Sequence, residues 1–419
     1  CDVIIQLNDL KVYCMFDNDK LPVNEVHNIL YKNKISLEKE MINLKYAYKK
    51  VISNKLYYKI DDPPFNKAAM DGYGYHDNGS RKFELLEEIF SAGSNKTDIN
   101  ILENCCIKIM TGAMVPDNIN KISKFEAADI VEENGKKYVY VKEEENSNNI
   151  ILKSTSSKIG DLLLDIKRLE AEDISRLASN GFSEVEVFKS PKVAVISTGS
   201  ELIEIGNKLE IGKIYDSNGF LIVNKLKDID IDSKFYGIVK DEYDTLYSVI
   251  FEALKENDIV IVNGGISFGN MDYSKRVFND LGVEKLCHGV LIKPGKPFYF
   301  GVKKDGNKIN KAIFGIPGNP FASLVSIENF VKPYINNCMG IKDDNSFYKF
   351  PLYENYKRKN SKVEEYYPVD FITNDKGTFV KLLDYKGSFY LPANMKALMK
   401  INIGINEIKA FENVEIKFI

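Results

Sequence analysis

Apolar positions follow three rhythms along the chain. Over 23–51 they recur at three-and-four spacing, at Val26, Ile29 and Leu30 and then at Leu37, Met41, Leu44, Tyr48 and Val51. That period predicts two helices joined near Lys34, the second capped by Ser36 with Glu38 and Glu40 in its first turn. Helical spacing returns over 161–180 and ends at Asn180 and Gly181, a pair that stops a helix well. Between 83 and 142 the apolar runs are short and broken by turns, at Ala92 and Gly93 and again in IKIMTGAMVPD, which predicts a small β domain. Residues 142–149 are charged and rich in Asn, a linker composition, so the β domain interrupts a helical segment that resumes after it. Residues 1–20 alternate weakly and predict nothing further.

The third rhythm begins after Pro191. Apolar, β-branched runs at 193–196, 233–239 and 259–262 alternate with helical stretches, one of them running to about Leu254. Strand alternating with helix at this spacing predicts a parallel sheet with right-handed crossovers, and ligands of such sheets sit at the carboxyl ends of the strands. Glu201, Asp241, Gly264, Lys293 and Gly318 each follow a predicted strand, and Asp216, Asn218 and Asp272 sit in loops that can fold over the same edge. From Tyr348 onward the chain reads as strands again, with turns at 374–377 and 392–394, which predicts a small terminal β domain.

Chemistry concentrates in 258–323, which reads DIVIVNGGISFGNMDYSK, then IKPGKP, then FGIPGNPFAS. Gly264, Gly265 and Gly269 let backbone N–H groups approach an anion, and a helix start behind them adds a positive dipole end. The same glycines would also serve a tight corner with no ligand. Asp272 puts a carboxylate within reach of a metal carried by bound phosphates, and Lys293 and Lys296 are presented by a loop stiffened by two prolines. Elsewhere Asp71 lies in an Asp-Gly turn behind Pro63 and Pro64, and Thr111 stands beside Gly112 after an apolar strand; both have ordinary turn readings too.

Composition narrows the class. A chain of 419 residues exceeds one ordinary core, and three or four domains are expected. With 57 basic and 60 acidic side chains the net charge is −3, so nothing marks the surface for nucleic acid and any anion site must be local. No apolar run approaches the ~20 residues needed to span a bilayer, and no secretory leader is visible, so no membrane association and a cytoplasmic location are expected. Cys1, Cys14, Cys105, Cys106, Cys287 and Cys338 form no C-x-x-C pair, and His27, His76 and His288 are scattered, a pattern of buried reduced thiols and no structural zinc.

Seven segments in order, PPFNKAAMDGYGY, MTGAMVP, STGSEL, IYDSN, GGISFGNMDY, IKPGKP and GIPGNP, give the chain from about Val23 onward a resemblance to the MoeA-type molybdopterin molybdenumtransferases, the family that includes the E domain of gephyrin. The resemblance implies a multidomain α/β plus β fold: an elongated helical domain from 21–60 and 148–187, an inserted β domain at 61–147, a molybdopterin-binding α/β domain at 188–335 and a C-terminal β barrel at 336–419. It implies a homodimer whose loops face the cleft of the other subunit. It also implies insertion of molybdate into adenylylated molybdopterin with release of AMP, assisted by Mg2+, with a molybdopterin adenylyltransferase as a possible partner.

On that resemblance Asp272, Glu201 and Asp241 position metal or water, and Lys293 and Lys296 meet molybdate and phosphate charge. Asp216, Asn218, Gly264, Gly265, Ser267, Gly269, Pro317, Gly318, Asn319 and Ser388 cradle the pterin phosphate and its neighbours. Asp71, Thr111 and Asp161 act from the partner subunit. The chain departs from the family pattern in places. In STSSKIGDLL, Ser156 and Ser157 stand where cations are usual, although Asp161 keeps the acid. In KNSKVEEYYPVD only Lys362 is close to the acid-aromatic pair, where an arginine is usual, and Asn66 replaces an aspartate before the AMDG turn. Gly387 and Ser388 keep the oxyanion step without an arginine beside it.

Two other functions fit parts of the chain. An adenylyltransferase-like nucleotide-processing protein would share the α/β domain but not the AMDG and TGA segments or the terminal domain. A non-enzymatic, gephyrin-like scaffold would need a partner groove, which the sequence does not identify.

Overall fold

Apolar runs with no polar break build the central sheet, and alternation within each run divides its side chains between two cores. The computed structural model describes residues 20–93, 101–142, 146–266, 273–342, 347–385 and 390–419. The chain divides into two compact units, the larger made of the described parts of Cys1–Ser53, Ile166–Glu170 and Glu184–Ile419, the smaller of Asn54–Asp165 and Ala171–Ser183.

In the larger unit the sheet strands are β1 (Val193–Thr198), β2 (Ser233–Val239), β3 (Ile259–Asn263), β4 (Glu284–His288), β5 (Tyr299–Asp305) and β6 (Lys308–Ile316). Their order is β2-β1-β3-β6-β5-β4. β2, β1, β3 and β6 are mutually parallel, as the strand-helix alternation predicts, while β5 runs antiparallel between β6 and β4. Every residue of β1 and β3 is buried. Val193, Val195, Ile259 and Ile261 face one core, and Ala194, Ile196, Val260 and Val262 face the other. Each of these valines and isoleucines stabilises the fold by roughly 1.5–3 kcal/mol of burial.

Helices α1 (Asn218–Lys227), α2 (Tyr243–Glu256), α3 (Tyr273–Asp280) and α4 (Pro320–Ser326) cover the two faces. α2 contributes Leu246, Ile250, Ala253 and Leu254, a helical stripe, to the second core. α1 contributes Ile222 and Leu226 to the first, which also takes in Val23, Val26 and Leu30 of the helix Val23–Lys32. A further sheet orders Ile292–Lys293, Glu364–Asn374, Ala397–Ile401, Asn413–Phe418 and Tyr348–Pro351, with Gly377–Leu382 also paired to Glu364–Asn374. A bridge between Leu352 and Val380 draws the far strands together, so the sheet curls on itself.

The smaller unit carries a six-stranded sheet in the order Lys121–Lys124, Gly72–Tyr75, Cys105–Ile109, Lys82–Phe90, Lys136–Val141, Ala128–Glu133. Ile107 and Ile109 face one small core, while Cys106 joins Tyr73, Tyr75 and Phe83 in another. Cys105, Cys106, Cys287 and Cys338 are free and buried, and burial pushes the Cys106, Cys287 and Cys338 thiols up to about 12.

The helical reading of 34–51 is corrected. Lys39–Asn43 is a strand paired antiparallel with Glu184–Phe188, followed by a 3-10 turn at Leu44–Tyr46, so Ser36 caps no helix. Met41 and Tyr48, taken as part of an apolar stripe, are exposed, whereas Leu44 and Val51 are buried. A pairing partner some 145 positions away in sequence overrode the local period. Glu38, expected in a helix first turn, instead pairs with Lys189 at 2.8 Å. Over 161–180 the helical reading is corrected in part: a strand, Leu162–Leu164, precedes the helix, which covers only Ala171–Ser179; the stop at Asn180 and Gly181 is present, with Gly181 at φ +78°.

Candidate active site

Four parallel strands end on one edge, and the residues that follow them share one cavity of about 320 Å3. Glu201 follows β1, Asp241 follows β2, Gly264 and Gly265 follow β3, and Pro317 and Gly318 follow β6, all on its wall. Two glycines are required by the backbone. Gly264 has φ +89°, and a Cβ there would lie 2.1 Å from the Thr198 carbonyl oxygen; Gly265 has φ +57°, and a Cβ would lie 2.9 Å from the Ser274 hydroxyl. The turn after β6 is tied to the turn after β3 by side chains. Asn263 Nδ2 donates to the Pro317 carbonyl at 2.8 Å and to Ser323 Oγ at 2.7 Å, and the Gly264 N–H donates to the Ile316 carbonyl at 3.0 Å. Asn319 caps α4 by accepting from the Ala322 N–H at 3.1 Å.

The electrostatics of this cavity are acidic on one side and open-handed on the other. Burial first, and the Glu201 charge second, push the Asp241 carboxyl above its ordinary range. Asp241 Oδ1, Thr198 Oγ1 and Ser274 Oγ are buried and find no hydrogen-bond partner among the described residues. Unsatisfied buried oxygens are costly, and a pair of carboxylates with a spare oxygen is a hard donor set suited to Mg2+. Among the described residues no group of three or more His, Cys, Asp or Glu is gathered as a metal site. Asp272, with Ser267 and Gly269, lies outside the described residues, as does Ser388.

Asp216 and Asn218 stand at the start of α1 and are buried. Asp216 Oδ1 accepts from the Gly219 N–H at 3.0 Å, and Asn218 Nδ2 donates to the Gly318 carbonyl at 2.6 Å, which joins this helix start to the β6 turn. Their remaining oxygens, Asp216 Oδ2 and Asn218 Oδ1, lack partners among the described residues. Asn218 also lines a smaller recess of about 230 Å3 with Tyr390 and Leu391.

The two lysines sit apart from the cavity wall, to which their loop contributes Pro297. Both are exposed, and the Lys293–Pro294 bond is cis. Lys293 Nζ lies 2.5 Å from Glu365 Oε1. The expectation that only Lys362 is close to the acid-aromatic pair is corrected: besides Lys293, Arg358, buried, reaches Glu365 Oε2 at 3.5 Å. Arg358 was out of sight in the sequence because seven positions separate it from its acid, a distance that only a bend in the chain closes.

In the smaller unit Asp71 and Thr111 meet. Asp71 Oδ1 accepts from the Thr111 N–H at 2.7 Å and from its hydroxyl at 2.8 Å, and these two donors, in that order, hold the Asp71 carboxyl below its ordinary range. Asp161 closes its own turn, accepting from the Lys158 N–H at 2.8 Å. Asn66 accepts from the Lys153 N–H at 2.8 Å, and Ser156 and Ser157 bind the Asp62 carbonyl through their N–H groups. Sequence reasoning passed over Asn263, Ser274 and Glu365; Asn263 alone left a signal, as the polar end of an otherwise apolar strand.

Comparison with known proteins places these features in company. Residues 194–337, which contain all four strand-end turns, match a family model described as a probable molybdopterin binding domain, and residues 21–181 match one described as the MoeA N-terminal region, domains I and II. A molybdopterin molybdenumtransferase of Staphylococcus epidermidis is 31% identical over 331 residues, covering 77% of each chain. One of Staphylococcus aureus is 30% identical over 350 residues, covering 81% of each. The solved molybdopterin biosynthesis MoeA protein of Pyrococcus horikoshii superimposes with a TM-score of 0.75 at 25% identity, over 96% of this chain and 99% of that one.

Proposed function

The chain belongs to the molybdopterin molybdenumtransferase family, and on that premise we propose that it inserts molybdate into adenylylated molybdopterin and releases AMP. Its place as a transferase of molybdenum cofactor biosynthesis follows from the family. The observation that carries the finer reading is the strand-end cavity, where Glu201 and Asp241 stand over two glycines that must have positive φ.

A substrate carrying a pyrophosphate meets a second anion here, so the site needs preorganised donors and cations more than it needs a strong base. The turns at Gly264, Gly265 and Gly318 bring backbone within reach of a phosphate, and Asn263 keeps two of them in register. Glu201, Asp241 and Asp272 would hold Mg2+, which when bound draws charge from the phosphate oxygens as the pyrophosphate bond breaks. The Thr198 hydroxyl, without a partner among the described residues, is a donor for a phosphate oxygen in the same cavity. Asp216, Asn218, Pro317 and Asn319, with Ser267, Gly269 and Ser388, complete the pterin and phosphate cradle in this proposal. Lys293 and Lys296 supply positive charge to the molybdate. Asp71, Thr111 and Asp161 complete the pocket from the second subunit of a homodimer. The domain boundaries inferred from the resemblance belong to the same proposal, as do a cytoplasmic location and delivery of the substrate by an adenylyltransferase. No helix among the described residues is long and apolar enough to cross a membrane.

Incubation of the protein with adenylylated molybdopterin, molybdate and Mg2+ is expected to release AMP. Asp241→Asn and Asp272→Asn are each expected to lower the rate by about a hundredfold or more, the scale on which preorganised electrostatic groups act. Consumption of ATP and free molybdopterin to form the adenylylated compound would instead establish an adenylyltransferase. Pterin binding with no turnover would leave a scaffold.

A further inference from the structure

Resting on the reading of Lys293 as a molybdate-binding cation, we infer that Glu365 is a positioning residue that sets where this cation stands. Strand register brings the two together: Ile292–Lys293 runs parallel to Glu364–Asn374, with Lys293 directly opposite Glu365. The partners differ in exposure. The Glu365 side chain is 1% exposed and the Lys293 side chain 56%, at an Nζ to Oε1 distance of 2.5 Å. An exposed lysine on its own samples many rotamers, but one tethered to a fixed carboxylate keeps one end of its range.

Glu365 is itself fixed from behind. Arg358, 2% exposed, stands 3.5 Å from Glu365 Oε2 and commits three further donors to backbone carbonyls, those of Ile405 at 2.6 Å, Asn402 at 2.6 Å and Val363 at 3.0 Å. A guanidinium locked onto three carbonyls cannot follow a moving acid, so the acid stays where the guanidinium holds it. Tyr356 closes another side, its phenol pushed up by burial first and then by the Glu365 charge and hydrogen bond. A carboxylate this deeply buried costs stability unless its oxygens are satisfied, and its partner Lys293 has a far side that faces solvent. One ammonium N–H serves Glu365, and the others remain to meet an oxyanion.

The test is a double-mutant cycle on the full chain, with molybdate binding read by equilibrium dialysis and folding checked by thermal melting. Glu365→Ala is expected to weaken molybdate binding by about tenfold, and Glu365→Gln, which retains an acceptor and the side-chain shape, by about threefold. In a Lys293→Met background each change should alter the residual affinity by less than about twofold, because the effect runs through the lysine. In turnover assays the same variants should raise KM for molybdate more than they lower kcat. An equal loss in both backgrounds, or no loss when Lys293→Met itself weakens binding, overturns the inference alone. If Lys293→Met leaves molybdate binding unchanged, the reading of Lys293 falls and the inference falls with it.

Discussion

At the scale of single residues, the two glycines after β3 carry the sharpest requirement. Gly264→Ala would drive a methyl into the Thr198 carbonyl at 2.1 Å in a backbone of positive φ, so it is expected to cost at least about 2 kcal/mol and abolish AMP release. Gly318 makes a useful contrast. Its added Cβ would lie 3.8 Å from Gly264 Cα, ordinary contact, and Gly318→Ala should melt within about 0.5 kcal/mol of the parent. Asp71 offers a test by titration. A carboxyl whose folded-state pKa is lowered adds stability above its unfolded value and loses it as pH falls through the folded one. Thr111→Val removes the hydroxyl donor and keeps the stronger N–H donor, so the Asp71 pKa should rise part of the way to its ordinary value in an NMR titration, and the acid-side loss of stability should become smaller and be complete at a higher pH. An unmoved titration would show that the hydroxyl has no share in the shift.

At the scale of elements, the site depends on turns being held to one another. β3 and β6 are adjacent and parallel, with Asn263 in register with Ile316, so the two turns emerge side by side. Asn263 converts that adjacency into a fixed spacing through Pro317 and Ser323. Asn263→Ala is expected to cost about 1–3 kcal/mol, the range for orphaning buried polar partners, and to raise KM for the pterin substrate as the β6 turn loosens. Differential scanning calorimetry and steady-state kinetics on the one variant read both effects; a lower melting temperature with an unchanged KM would confine Asn263 to stability. The parallel strands were legible in the sequence because continuous β-branched runs have few other uses. The segment 34–51 was not, because a short apolar run carries both periods, and its strand partner at Glu184–Phe188 decides between them.

At the scale of the whole molecule, the homodimer of the proposal would need apolar surface to bury. In the smaller unit 56–62 and 157–164 form a two-stranded ribbon, joined at Tyr57 with Leu162 and at Asp62 with Ser157. Tyr57, Ile60, Ile159 and Leu162 along it are all exposed, an apolar stretch that a second subunit would cover. Light scattering at micromolar concentration should give twice the chain mass, and Ile159→Glu with Leu162→Glu should return it to one; a monomeric parent would remove the cross-subunit roles of Asp71, Thr111 and Asp161. By itself the sequence determined the family, the strand-helix alternation and the residues at each strand end, since these rest on local pattern and on motifs carried in order along the chain. Only the tertiary structure decided that Glu201, Asp241 and the glycine turns share one cavity, that Asn263 ties two of those turns, and that Lys293 answers to Glu365 and Arg358. The physical reason is distance along the chain: a hydrogen bond or ion pair between residues 54 or 72 positions apart leaves no period in the sequence, and it exists only once strand register has brought the partners face to face.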